Sequence, residues 1–94
     1  MVFHLAELWS DEELRAAVVA YIDMLNKQHR NEHFVKKHYY SKLSSQIGCT
    51  EKACEYRMEN ISYVLELMGR TWITGLKPHR HVSPRQVEQI EKLI

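Results

Sequence analysis

Residues 55–69 read EYRMENISYVLELMG, and this stretch decides how the core of the protein is built. At about 100° per residue its apolar side chains fall on one stripe, as they do on an amphipathic helix. Arg57 lies near the centre of that stripe and Asn60 lies at its edge, although burying an unpaired charge costs several kcal/mol. The apolar members of the stripe are Ile61, Val64, Leu65 and Met68.

Arg57 and Asn60 have a structural and a functional interpretation. In the structural one they form a clamp: Arg57 bridges carbonyls or an acid of the first helix, and Asn60 ties down the loop after Gly69. The five N–H donors of a guanidinium, held in a fixed fork, suit such a role. In the functional one the stripe is interrupted because this part of the helix faces a nucleic-acid phosphate or a cleft. We favour the clamp.

A capping pattern in the sequence indicates where the first helix begins. Ser10 followed by Glu13 has the pattern of a capping box, and apolar residues then recur at helical spacing as far as Leu25. This pattern predicts a helix over 11–28, followed by a polar loop over 29–34.

The rest of the chain predicts three more helices and one aperiodic segment. Gly48 stops the second helix, and Gly69 ends the third, to which the opening stretch belongs. Ser83-Pro84 is a typical helix start, whereas the β-branched and aromatic residues before Gly75 favour a strand. We therefore expect a mainly α, compact four-helix fold with helices over 34–47 and 51–68, a short last helix after Ser83, and a short β element around 70–77.

Length and composition indicate one domain over residues 1–94, with residues 1–8 as an N-terminal arm. No apolar run reaches the roughly 18 residues of a membrane span, and the start lacks the features of a signal peptide, so we expect a cytoplasmic protein. Cys49 and Cys54 are too few for a disulfide framework or a zinc site, and we expect reduced, structural thiols.

Catalytic motifs are missing from the sequence. It contains no glycine-rich phosphate loop, nucleophile elbow or HExxH pattern. His79 and His81 lack an identified third ligand, so we predict no metal site. We expect a protein that is not an enzyme and that needs no cofactor.

The net charge of +1 hides blocks of alternating sign. Residues 1–25 contain five acidic residues and one basic residue, whereas residues 26–47 contain five basic residues and one acidic residue. Residues 48–68 are again acidic and residues 69–94 again basic. Such blocks either attract one another on folding or leave a basic surface for an anionic partner.

Three segments resemble a known family: WSDEELRAAVVAYIDML, KKHYYSKL and EYRMENISYVLELMGRTWITGLKP. Over residues 9–80 the chain is similar to a small helical module that precedes HNH nuclease and modified-base-reading domains in bacterial restriction endonucleases. The resemblance implies a DNA-associated role and a helix-turn-helix or winged-helix-like arrangement. The family carries a basic residue in the turn before the third helix, where this chain has Gly48-Cys49-Thr50-Glu51, so DNA contacts are not carried over to this turn.

Two basic clusters are candidates for contact with double-stranded DNA. The first, on the second helix, interleaves basic and aromatic residues, as suits phosphate contact and base stacking; the second surrounds a loop that resembles a wing. An ordinary solvated helix face is the alternative for the first cluster. The predicted DNA-binding residues are Lys36, Lys37, His38, Tyr40 and Lys42 in the first cluster, and Arg70, Lys77, Arg80 and Arg85 in the second.

The third helix is a poor recognition helix, because Glu51, Glu55, Glu59 and Glu66 on its outward side would repel phosphates. The alternative function is a protein-interaction or dimerisation domain without nucleic-acid binding. It would use exposed apolar residues of the arm and of the loop, namely Val2, Phe3, Leu5, Trp9 and Trp72.

Overall fold

The computed structural model of this protein describes residues 9–94; the predictions for the arm, residues 1–8, lie outside this part of the chain. Four helices run through the described residues, which confirms the mainly α prediction. None of them combines the length and the apolarity that crossing a membrane requires. The helices are α1 (Asp11–His29), α2 (Lys36–Ile47), α3 (Glu51–Leu67) and α4 (Pro84–Leu93).

Local hydrogen bonds explain where three of the helices begin. The capping box of α1 is formed, with Ser10 N–H donating to Glu13 Oε1 (2.9 Å) and Glu13 N–H donating to Ser10 Oγ (3.1 Å). Thr50 caps α3 and Ser83 caps α4 through their hydroxyl oxygens. Because these caps depend only on residues three positions apart, the sequence predicted the starts of these helices correctly.

Helix α3 is the centre of the domain core. It packs against all three other helices, and its side chains are buried around most of its circumference. Arg57 and Asn60 are among the residues it buries. The buried positions of α3 are Cys54, Arg57, Met58, Asn60, Ile61, Ser62, Val64 and Leu65.

Tyr40 and Leu43 are the buried residues of helix α2, whereas Tyr39 is half-buried. The Tyr39 hydroxyl donates to Asp23 Oδ2 (2.6 Å) and accepts from Lys27 Nζ (2.6 Å). Tyr39 therefore stays at the rim with polar partners, and Tyr40 fills the core.

The segment that joins α3 to α4, residues 70–82, holds no strand, so the predicted β element around 70–77 is wrong. The side chain of Gln28 on α1 takes the place of a neighbouring strand. Its Nε2 donates to the carbonyl of Trp72 (3.3 Å), and its Oε1 accepts from the N–H of Thr74 (2.9 Å). A glutamine amide presents one donor and one acceptor, as a backbone peptide group does, and so satisfies this edge of the segment without a ladder.

Tyr21 anchors the same segment from the core. Its hydroxyl accepts from the N–H of Ile73 (3.0 Å) and hydrogen-bonds to Ser62 Oγ (2.7 Å), and the side chain is fully buried. Burial raises the pKa of this phenol above its usual value. One hydroxyl thus connects α1, α3 and residues 70–82 at a point that water does not reach.

Tyr21→Phe should lower the free energy of unfolding by about 1–3 kcal/mol, because it leaves the buried Ile73 N–H without its acceptor. Urea unfolding followed by circular dichroism measures this value. Tyr63→Phe is the matched control, since the half-buried Tyr63 hydroxyl makes no hydrogen bond with residues 9–94. Equal stability of the two variants would show that the hydroxyl of Tyr21 does not hold the segment.

Candidate nucleic-acid interface

Arg57 and Asn60 form a buried pair on α3. Only 3% of Arg57 is exposed and none of Asn60. Arg57 Nη1 donates to Asn60 Oδ1 (2.9 Å), and the guanidinium carbon lies 5.1 Å from the centroid of the Trp9 ring, within cation–π range. Within residues 9–94, Arg57 thus contacts Asn60 of its own helix and Trp9 before the start of α1.

Asn60 extends this pair to the segment between α3 and α4. Its Nδ2 donates to the carbonyl of His79 (2.7 Å) and makes a longer contact with the carbonyl of His81 (3.4 Å). The N–H of His79 in turn donates to the carbonyl of Glu59 (3.0 Å). These hydrogen bonds connect α3 to residues 79–81, and the side chains of Arg57 and Asn60 are both buried.

Trp9 belongs to the core and not to an exposed docking patch. Its exposed fraction is 5%, and its carbonyl accepts from Gln86 Nε2 of α4 (3.3 Å). Trp72, the second tryptophan of the predicted interaction surface, is half-buried against the core. Both tryptophans thus pack against the core.

The predicted DNA-binding residues differ in how much of each side chain is exposed. Tyr40 is only 8% exposed and packs in the core, so its ring does not offer a face to a base, and its place in the predicted surface is wrong. Lys36 is half-buried. The other seven are exposed: Lys37, His38, Lys42, Arg70, Lys77, Arg80 and Arg85.

These seven exposed side chains have no acidic partner within the described residues. The salt bridges found in residues 9–94 join Lys27 to Asp23 (3.5 Å) and Arg30 to Glu32 (2.8 Å). The basic residues that do pair thus lie in α1 and the loop that follows it. The basic residues of the predicted surface keep their charges available to an external anion.

The N-terminus of α2 differs from those of α1, α3 and α4. Val35 occupies the N-cap position and supplies no side-chain hydrogen bond, and the first turn contains no acidic residue. Lys36, Lys37 and His38 fill that turn instead. A helix N-terminus carries partial positive charge and unpaired N–H groups, so these residues add like charge to it. An apolar residue at the N-cap position, followed by Lys36-Lys37-His38, is the sequence signal of this N-terminus.

Lys36 connects this N-terminus to the second basic cluster. Its Nζ donates to the carbonyl of Thr74 (3.3 Å) and would lie 3.1 Å from a Cβ atom built on Gly75. The backbone of Gly75 has φ +93°, so a side chain here would be both strained and crowded. The start of α2 thus contacts the chain between Arg70 and Lys77 of the second cluster.

The remaining basic residues line separate depressions. Lys42 and His38 border a groove between α1 and α2 that also includes Asp23. Arg70 lies beside the last residues of α4, and Arg85 lies beside the capping region of α1. The structure therefore places these four predicted residues in three separate depressions.

An acidic and aromatic cluster occupies the side of α3 that faces His79. Burial, followed by repulsion from Glu55, raises the pKa of Glu59, while His79 and Lys52 oppose the shift. Burial and the same two carboxylates raise the pKa of Tyr40 to about 12. The rings of Tyr56 and His79 lie 4.5 Å apart between centroids. Negative charge on this side of α3 is thus partly desolvated and does not suit contact with phosphates.

Within residues 9–94 no three or more histidine, cysteine, aspartate or glutamate side chains converge as a metal ion would require. His79 and His81 contact each other instead, with their ring centroids 5.3 Å apart. The backbone of both residues is held by α3.

Arg57→Met should destabilise the protein by about 1–3 kcal/mol, because it leaves the buried oxygen of Asn60 without its donor while keeping most of the side-chain volume. The midpoint of urea unfolding would fall at an unchanged m-value. Arg15→Met, at an exposed position of α1, is the control and should unfold as wild type does. A variant that unfolds like wild type but loses a ligand would make Arg57 a binding residue.

Glu59→Gln should raise the unfolding midpoint at neutral pH. A carboxyl whose pKa is raised on folding binds more protons in the folded state, so its contribution to stability falls as pH rises through the window above its ordinary pKa. The advantage of the glutamine variant should therefore shrink as pH falls toward about 4.3 and disappear below that value, where the wild-type carboxyl is protonated in both states. Thermal unfolding of both proteins at several pH values from acidic to neutral measures the difference in their midpoints. A difference that does not change with pH would contradict a raised pKa of Glu59 in the folded state.

Comparisons with protein-family models, with curated proteins and with solved structures found no match to this chain.

Proposed function

We propose that this protein is a non-catalytic DNA-binding module. The observation that carries the proposal is the N-terminus of α2, which has no side-chain cap, no acidic residue and three basic residues in its first turn. Basic residues at this position act against the stability of the helix, by about 0.3–1 kcal/mol each at low ionic strength. A bound phosphate reverses that effect, because it accepts from the free N–H groups and pairs with the lysines.

Four further exposed bases are proposed to complete the electrostatic surface. Lys37, Lys42, Lys77 and Arg80 are exposed and have no ion-pair partner among residues 9–94. Lys36, whose Nζ donates to the carbonyl of Thr74, adds a fifth charge in the first turn of α2. These five residues are the proposed phosphate contacts, and contacts of this kind give affinity and orientation rather than sequence preference.

The proposed arrangement resembles a helix-turn-helix only in the short turn that connects α2 to α3. Helices α2 and α3 are joined by residues 48–50, a short turn in which Gly48 has φ +80°, and turns of this length with a glycine are typical of the motif. Because α3 is buried around most of its circumference, we assign the DNA-facing role to α2 and the part of a wing to residues 77–85. The resemblance of residues 9–80 to the N-terminal module of restriction endonucleases agrees with this role.

Duplex binding should depend steeply on salt. With five phosphate contacts, the slope of log affinity against log salt should be about −4 to −5, so affinity falls by about two to three orders of magnitude between roughly 50 and 200 mM NaCl. Lys37→Ala should reduce the slope by about 1 and weaken unrelated duplexes equally. Fluorescence anisotropy with two labelled duplexes of different sequence measures both effects.

Lys92→Ala is the matched control, since Lys92 is an exposed lysine in the last turn of α4, outside the proposed surface. It should leave the slope unchanged. An equal loss from both variants would mean that only overall charge matters. A loss of base preference in Glu55→Gln or Glu59→Gln would put α3 in the groove and contradict the proposal.

Absence of duplex binding at low salt would favour the alternative, an interaction or dimerisation domain. With Trp9 buried and Trp72 half-buried, that alternative depends mainly on Val2, Phe3 and Leu5, which lie outside the described residues. Sedimentation of the full chain and of a chain lacking residues 1–8 distinguishes the two: only the alternative requires a dimer that the deletion removes.

A further inference from the structure

Two thiols lie in contact at the corner between α2 and α3. Cys49 is in the turn, Cys54 is in the first turns of α3, and their Sγ atoms are 2.7 Å apart with both residues present as free thiols. An approach of about 0.7 Å would bring the sulfurs to the length of a disulfide bond, about 2.05 Å. They are also the full complement of cysteines in the chain, so no other thiol competes for either one.

Their positions relative to the helix start keep them together. Thr50 is the N-cap of α3, which places Cys49 directly before the cap and Cys54 at the fourth helical position. Apolar residues at these two positions often pack on each other as a hydrophobic staple that sets the entry angle of the chain. Here the contact at these two positions is between the sulfur atoms of Cys49 and Cys54. A hydrogen bond from the hydroxyl of Ser44 on α2 to the carbonyl of Cys49 also holds the turn.

The two thiols differ in access to solvent. Cys49 is half-buried, whereas Cys54 is fully buried in the core. Burial, with a smaller contribution from Cys49, raises the pKa of the Cys54 thiol. Because a thiolate is the attacking species in exchange reactions, Cys49 is the residue that meets an external reagent first, and Cys54 acts second.

We propose that Cys49 and Cys54 form a reversible intramolecular disulfide, a redox-modification site that takes low-molecular-weight disulfides as its oxidant. The Cys49 thiolate attacks one sulfur of the reagent, forming a mixed disulfide and releasing one thiolate. The Cys54 thiolate then attacks the Cys49 sulfur, closing the internal disulfide and releasing the second thiolate. Overall the two protein thiols are oxidised by loss of two electrons and two protons, and the reagent is reduced to two thiols.

The disulfide would convert a contact between two side chains into a covalent bond across the start of α3. This bond would fix the angle between the turn and the first turn of α3, and with it the corner at which α2 meets α3. Disulfides of intracellular proteins are usually transient and redox-sensing rather than structural. The reduced thiols expected from the sequence are then the resting state, and the disulfide is the oxidised state. The inference does not depend on DNA binding.

The test equilibrates the wild-type protein with graded mixtures of oxidised and reduced glutathione, under native conditions and in denaturant, followed by acid quenching and intact-mass measurement. The expected native product is a monomer that has lost two hydrogen atoms and resists alkylation. At a given mixture, the ratio of disulfide to dithiol should be at least about tenfold higher in the folded protein, a difference of about 30 mV in reduction potential.

Two variants assign the order of the steps. Cys54→Ala should stop at a mixed disulfide of glutathione on Cys49, and Cys49→Ala should remain unmodified while folded because Cys54 is buried. The proposal is overturned if native wild type stays reduced in oxidised glutathione, accumulates the mixed disulfide, or forms the internal disulfide no more readily than the unfolded chain does. These outcomes are measured on the wild-type protein, so they hold even if a variant fails to fold.

Discussion

The hydrogen bond from Asn60 to the carbonyl of His79 joins helix α3 to the irregular segment that follows it. Its donor lies on the most buried helix, and its acceptor lies on the irregular segment that leads to α4. Arg57 orients the Asn60 side chain by donating to its oxygen, which leaves the amide nitrogen directed at the segment. A buried amide that loses its hydrogen bonds destabilises the folded state. The Arg57–Asn60 pair therefore restricts where the segment can run.

The segment that Asn60 holds contacts an acidic part of α3 and the basic start of α2 at different positions. With residues 79 to 81 held over α3, the carboxyl of Glu59 lies near His79 and is partly desolvated. Thr74 and Gly75, nearer the start of the segment, meet Lys36 at the N-terminus of α2.

The packing of helix α3 in the core limits its use as a recognition helix. A recognition helix needs an exposed face along several turns, because side chains on that face must reach into a groove. The burial of eight of its residues, two of them polar, uses most of that circumference for packing. The exposed first turn of α2, which packs less of its surface, is therefore the more suitable element for contact with a long anionic ligand.

The sequence by itself determined the number of helices in residues 9–94 and most of their ends. Ser10 with Glu13, Gly48, Thr50 and Ser83 are local signals, because each acts within one turn of the helix it starts or stops. It also identified Arg57 and Asn60 as residues that require partners, since a polar pair on an apolar stripe is visible from periodicity alone.

Only the tertiary structure decided which partners those residues have and which tyrosine of α2 is buried. Tyr39 and Tyr40 are adjacent, and the choice between them depends on Asp23 and Lys27, which lie on another helix. The absence of a strand in residues 70–77 depends in the same way on Tyr21 and Gln28. Their side chains replace a strand partner and lie 52 and 46 residues before the backbone N–H groups that they bind. Contacts between distant residues are set by the packing of whole helices, and no local pattern in the sequence records them.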